Sequence, residues 1–385
     1  MKKNPEFDDI RPYYDDELPE VIDRLTNDSR FKKMIESFLP DMTWEQFSAL
    51  LHSVRTTHDF QSQLIRKIIF QIMAKPAKSL KCEGFENIKK ETAYTYISNH
   101  RDIVLDAALL CVCLLEEDYD TVEIAIGDNL LSNQWIEDIV RLNKSFIVKR
   151  GVSGRQMLEN SIHLSQYIHY TIKEKNQCVW IAQREGRAKN SDDRTQKSVL
   201  KMLSMGGAER DFLKNMEELN ICPVSFSYEY DPCDFLKAKE FQQKRDDPEF
   251  KKSRRDDLLS METGIFGYKG NVYFRFGKPI NELISDVDRQ LTKNEQITKI
   301  ASLIDREIFR NYRFYPINYI AYDRLWGKDL FKECYSVEDI TAFDVYLRQQ
   351  LDKIDLPEKD IPFLTEKMLE MYAYPVKNQL SVKEK

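Results

Sequence analysis

Five histidines occur in this 385-residue chain, at positions 52, 58, 100, 163 and 169. Four of them fall on stretches with helical spacing. His100 alone sits where a strand-like run gives way to a helix-like run, in YISNHRDIVLDAALL, residues 96–110. A neutral imidazole at such a turn can take a proton from a hydroxyl, provided that a carboxylate fixes its tautomer and stabilises the imidazolium that forms. Two aspartates follow. Asp102 opens the helix, where an aspartate ordinarily caps orphan amides. Asp106 is flanked by Leu105, Ala107 and Ala108, and an ionised carboxylate on an apolar face is costly unless paired. Asp106 is therefore the better partner for His100, with Asp102 the alternative. Positions six apart on one helix are rotated by about 240°, so His100 must leave the helix and fold back. Backbone amides at the start of the helix are candidates for stabilising an oxyanion.

Two basic groups follow at comparable positions. In RLNKSFIVKRG, Lys149 and Arg150 end a short apolar run. Paired bases there suit a phosphate, the arginine as a bidentate fork; surface charge is the plainer account. In WIAQREGRAKNSDDR, Arg184, Glu185, Gly186, Arg187, Lys189 and Arg194 come together after another apolar run. Gly186 permits a tight turn, Glu185 can orient an arginine or bind a hydroxyl, and the cluster suits an anionic ligand as well as it suits a solvated loop.

The elements that hold these residues alternate. Strands are expected at AYTYISN, TVEIAIG, SFIVKR, CVWIAQ, ICPVSFSYEY and NVYFRFGKPI, with helices at 102–117, NQWIEDIVRLN and 153–175 between them. This rhythm predicts an α/β fold, a mainly parallel sheet flanked by helices, with ligands beyond the carboxyl ends of the strands. The expected layout is an N-terminal helical region, 1–80, an α/β domain, 81–330, with a helical insertion at 233–262, and a C-terminal helical extension, 331–385. Thr43 and Gln46 have the spacing of a capping box. The stretch 59–81 reads as one amphipathic helix whose basic face includes Arg66, Lys67, Lys75, Lys78 and Lys81, packed on the main domain or laid on a membrane surface. Tyr319, Tyr322 and Trp326 read as core, with a second membrane contact the alternative.

Composition narrows the class. A net charge of −6 argues against general nucleic-acid binding. The seven cysteines are scattered, and the Cys111/Cys113 pair lies in an apolar run without a second pair to complete a zinc pattern, so all read as reduced thiols of a cytoplasmic protein. The N-terminal segment does not read as a signal peptide. The longest apolar run, IVLDAALLCVCLL, is shorter than the roughly 20 residues a bilayer span takes, so any membrane contact is expected to be peripheral, at the inner face of the cell membrane.

In order, these segments resemble the glycerolipid acyltransferase family, the glycerol-3-phosphate and 1-acylglycerol-3-phosphate O-acyltransferases. NHRDIVLD resembles its His-Asp block, SFIVKR its Phe-Ile-x-Arg block, REGRAK its Glu-Gly-x-Arg-Ser block and ICPVSFSYEY its apolar-Pro-apolar strand; FRFGKPI resembles a late Gly-x-Pro-Ile strand. The likeness covers about 92–280. His100 and Asp106 have five residues between them where the family has four, and the third block is one residue short. The resemblance implies that His100 is the general base and Asp106 its partner. It implies that Arg150 and Arg187 bind phosphate, that Glu185 binds a glycerol hydroxyl or organises its loop, and that Pro223 shapes the acyl site. It implies transfer from acyl-CoA or acyl-carrier protein to a phosphorylated glycerol or lysolipid. No acyl-enzyme, cofactor or metal is demanded by that chemistry. Another acceptor, such as an amino-acid lipid, and a non-catalytic lipid-binding role are the alternatives.

Overall fold

The computed structural model describes residues 3–151, 153–327 and 329–383. Seven strands, β1 (Ala77–Glu83), β2 (Thr95–Ser98), β3 (Glu123–Gly127), β4 (Ser145–Val148), β5 (Val179–Ala182), β6 (Ile221–Tyr228) and β7 (Gly270–Phe276), form one sheet in the order β1-β7-β6-β2-β5-β3-β4. β6, β2, β5, β3 and β4 run parallel, while β7 is antiparallel to β6 and carries β1 parallel to itself. β2 is buried along its whole length and β5 is continuously apolar because both of their faces are covered. One face packs Ile97, Phe146, Val179 and Ile181 against Tyr167, Ile304 and their neighbours. The other packs Tyr96, Trp180 and Val224 against the helix Leu105–Glu116.

Two further cores flank the sheet. The N-terminal helices Leu18–Asn27, Ser29–Phe38 and Trp44–Ser53 bury Leu25, Phe31, Phe47 and Phe60 together. The expected capping box is present: Gln46 N donates to Thr43 Oγ1 at 3.3 Å and Thr43 N to Gln46 Oε1 at 3.0 Å. The C-terminal core joins the helices Pro316–Trp326, Val337–Asp352 and Ile361–Lys383. Tyr322 is buried in it and Tyr319 and Trp326 pack against it, as core residues do. The insertion between β6 and β7 is two helices, Asp234–Asp246 and Arg254–Phe266. Tyr346 and Tyr372 of the last two helices each donate to Asp234 Oδ2 at 2.7 Å. Burial, with Asp231 nearby, pushes the Asp234 carboxyl up to about 7.

One expectation is corrected. The helix expected over 59–81 is a π-helical stretch, Phe60–Ile65, followed by an α-helix that ends at Met73. Residues 77–83 are β1, so Lys78 and Lys81 belong to a strand. Pro76 precedes that strand. Alternating burial along Ala77–Glu83 marks a half-exposed edge strand, whose lysines mimic a basic helix face in sequence.

Candidate active site

β2, β5 and β4 deliver His100, Arg184 and Arg150 from their carboxyl ends to one side of the sheet. The chain leaves β2 at Ser98 and does not become helical until Leu105. Asn99 holds this turn to β6, its Nδ2 donating to Phe226 O at 2.9 Å and its Oδ1 accepting from Phe226 N at 2.8 Å. Within the turn the chain folds back on the first turn of the helix. Asp106 Oδ2 lies 2.8 Å from His100 Nδ1 and accepts from Arg101 N at 2.6 Å and Asp102 N at 3.1 Å. Tyr228 donates its hydroxyl to Asp106 Oδ1 at 2.8 Å. Asp106 is fully buried, 0% exposed, and both of its oxygens are satisfied, which is what makes a buried carboxylate tolerable. Burial of the phenol, with the Asp106 carboxylate beside it, holds Tyr228 well above the ordinary tyrosine range.

Asp102 does the capping expected of it. Its Oδ1 accepts from Val104 N at 2.9 Å and Leu105 N at 2.8 Å. Burial, reinforced by Asp106, raises its carboxyl above the usual range. The structure thus brings His100 to Asp106 and leaves Asp102 as the cap. The amides of residues 101, 102, 104 and 105 are spent on these two carboxylates.

Nδ1 is the nitrogen turned to Asp106, which leaves Nε2 for the solvent side. His100 stacks edge-on to Trp180, ring centres 5.6 Å apart, and Trp180 is itself fixed by its Nε1 donating to Ser98 Oγ at 2.9 Å. A second tie runs from the dyad turn to the loop after β5. Arg101 donates to both oxygens of buried Asp193, at 3.2 and 2.6 Å, and Tyr312 donates to Asp193 Oδ2 at 2.6 Å.

His100 opens on a cavity of about 1380 Å³. Lys149, Arg150, Arg184, Glu185, Gly186, Arg187 and Lys189 line it as well. The expected anion ligands therefore share one space with the dyad. Gly186 has φ 67°, the left-handed turn that glycine accepts without strain. Arg184 Nε and Arg187 Nη1 are buried and make no hydrogen bond among the described residues, an unusual state for guanidinium nitrogens. Arg150 stands 4.0 Å from Glu185. Lys149 is paired with Asp9, and Lys189 with Glu240. Pro223 is not brought to the cavity. It lies inside β6, opposite Ile97, where its missing N–H removes a ladder bond.

Several residues of the site carry no sequence signal. Tyr228, Trp180 and Arg101 read as ordinary strand or loop residues, and only the fold sets them around the dyad. The apolar wall is equally hidden: Phe38, Phe60, Leu64, Ile68 and Ile72 of the N-terminal region, with Leu258, Met261 and Ile265 of the insertion.

The segment that holds this arrangement resembles known proteins. Residues 79–227, from β1 to the end of β6, match the acyltransferase family model. The chain carries an acyltransferase domain. That domain holds the dyad, both basic groups and the Pro223 strand, while the N-terminal helices, the insertion and the C-terminal helices lie outside the match. No curated protein matches the chain significantly. Among solved structures, the crystal structure of the 1-acyl-sn-glycerophosphate (LPA) acyltransferase PlsC from Thermotoga maritima is similar at 13% identity and a TM-score of 0.37, covering 76% of this chain and 96% of that one.

The acyltransferase domain meets the insertion closely at the dyad turn. A Cβ on Gly264 of the helix Arg254–Phe266 would stand 2.1 Å from Asp102 Oδ2. Gly264→Ala is therefore expected to push the cap aside and misplace the dyad turn, lowering turnover by roughly 10²-fold, since a displacement of about 1 Å suffices for that. Steady-state acyl transfer by a variant with near-native circular dichroism is the check; full activity would show that the turn yields without cost.

Proposed function

We propose that the protein is an O-acyltransferase that moves a fatty acyl group from a thioester donor to the free hydroxyl of a phosphorylated lysolipid of the lysophosphatidate type. The observation that carries this is a His–Asp pair opening on a large apolar cavity with arginines at the same mouth. His100 Nε2 takes the proton of the acceptor hydroxyl as its oxygen attacks the thioester carbonyl. The tetrahedral adduct collapses by breaking the C–S bond, and the departing thiolate takes the proton back from the imidazolium. Asp106 holds Nδ1–H and stabilises the transient positive charge. Arg150, Arg184 and Arg187 supply the forks for the acceptor's phosphate, and the two guanidinium nitrogens without partners support this most directly. The volume supports an acceptor that already bears a chain: pockets for one drug-sized ligand run to about 300–1,000 Å³, and 1380 Å³ leaves room for a second chain beside the donor's.

Purified protein given a labelled acyl thioester and a panel of acceptors in liposomes, with products identified by mass, tests the reading. Transfer to lysophosphatidate above glycerol-3-phosphate and amino-acid lysolipids is expected. Arg187→Ala should raise the acceptor's apparent KM about tenfold, the worth of one charge-assisted hydrogen bond, with kcat less affected. No transfer to any phosphorylated acceptor would sink the proposal. Among the described residues no helix is long and apolar enough to cross a membrane; contact with the lipid surface through Phe70, Leu258, Leu259 and Phe266, which are exposed, belongs to the same proposal, and equal rates on dispersed and liposomal acceptor would remove it.

A further inference from the structure

The insertion helices lie outside the family match, yet they build one wall of the cavity. Asp257, Leu258, Met261, Glu262 and Ile265 of the helix Arg254–Phe266 line it, a single stripe at helical spacing. The lower end of that helix is at the dyad turn, where Gly264 abuts the cap Asp102. Its upper end carries a group of lysines. Glu240, itself buried, faces three of them: Lys189, Lys244 Nζ at 2.9 Å and Lys252 Nζ at 3.7 Å. Lys252 also reaches Asp257 at 3.3 Å. Lys189 and Phe241 beside it line the cavity. Three ammonium groups with Arg187 nearby face two carboxylates, so positive charge is in excess. Burial and this crowding, chiefly by Lys244 and Lys252, push the Lys189 ammonium down to about 7, whereas an added anion would favour its charged form.

The spacing identifies the anion. Gly264 lies seven residues beyond Asp257 and eleven beyond Ser253, so at 1.5 Å per residue the lysine group stands about 10–16 Å up the helix from the cap of the dyad turn. A phosphopantetheine arm has about thirteen bonds between phosphorus and sulfur, equivalent to about four extended residues, or about 15 Å. We infer that Lys189, Lys244 and Lys252 bind the phosphate of the donor's phosphopantetheine, and that the arm lies along the helix Arg254–Phe266 with its thioester at His100. This rests on the acyltransferase reading above. It assigns the insertion a function in donor recognition, separate from the arginines at the acceptor's phosphate. The phosphate is common to coenzyme A and to acyl-carrier protein, so the donors themselves must be compared.

The test uses the full chain with Lys244→Gln, Lys252→Gln and the double variant, and three donors of one acyl group: the coenzyme A thioester, the carrier-protein thioester and the N-acetylcysteamine thioester, which has no phosphate. The double variant is expected to raise the donor KM about tenfold for the first two, to leave the third unchanged, and to leave the acceptor KM unchanged. An unchanged third donor also shows that the variant is folded. If the double variant does not fold, Lys244→Gln alone, at a half-exposed side chain, is expected to give a several-fold rise with the same donor pattern. A rise with coenzyme A only would overturn the inference in favour of a nucleotide contact. An equal rise with all three, or none with any, would overturn it outright. Failure of the acyltransferase reading is distinguishable, because the unmodified protein would then turn over none of the three.

Discussion

His100→Ala is expected to lower kcat by about 10²–10⁴-fold, the contribution of a positioned general base, while shifting the thermal unfolding midpoint by no more than about 4 °C. Both halves follow from its setting. His100 is the residue of the dyad that faces the cavity, and among the described residues its one hydrogen bond to the fold is to Asp106. Removing the imidazole removes the base and costs one neutral-to-charged hydrogen bond at the cavity surface. A folded variant that keeps more than about a tenth of the turnover is incompatible with general-base catalysis by this residue.

The second large effect separates the two aspartates. Asp106→Asn should cost turnover about as much as the loss of His100, because residues acting as one unit are not additive. An asparagine keeps the shape and removes the charge that stabilises the imidazolium. Asp106→Ala should lose the same activity and in addition destabilise the fold by about 3–5 kcal/mol, the range for stripping one partner from a buried charged network. It leaves Arg101 N, Asp102 N and the Tyr228 hydroxyl without an acceptor. Asp102→Asn, by contrast, should hold turnover within about tenfold, since a capping asparagine accepts the same amides. Steady-state kinetics beside thermal melts for the three variants decide the matter. Loss of activity in Asp102→Asn with retention in Asp106→Asn would exchange their roles.

The alternation of apolar runs and helices made the parallel part of the sheet legible, because strands buried on both faces must be continuously apolar. It failed at β1, where an edge strand alternates lysine with half-buried residues and carries no such run. The dyad was legible through a contradiction, a charged residue at the apolar position 106. The unequal spacing was resolved only in three dimensions: the helix starts at Leu105 rather than 102, and the amides of 101 and 102 wrap the carboxylate, so the additional residue is absorbed in the turn. Arg150 and Arg187 could be picked out by their place after strands. Pro223 could not be placed, since a proline that shapes a site and one that merely interrupts a ladder look alike in sequence. The wall of the cavity was illegible for a different reason. Ile68 and Ile72 have the spacing of a core-facing helix, and nothing in a sequence distinguishes a helix face that meets side chains from one that meets an empty volume.

The order of the strands bears on how a long substrate gets in. β2 is fourth of seven, with three strands on either side, whereas the cavity wall is borrowed from the helical additions at the periphery. Local opening in proteins begins where few layers hold an element and reaches central strands last. The histidine therefore hangs from a strand held on both sides, while part of the enclosure around it belongs to helices outside the sheet, so the breadth of acyl chain admitted can change with those helices and leave the strand that carries the base where it is.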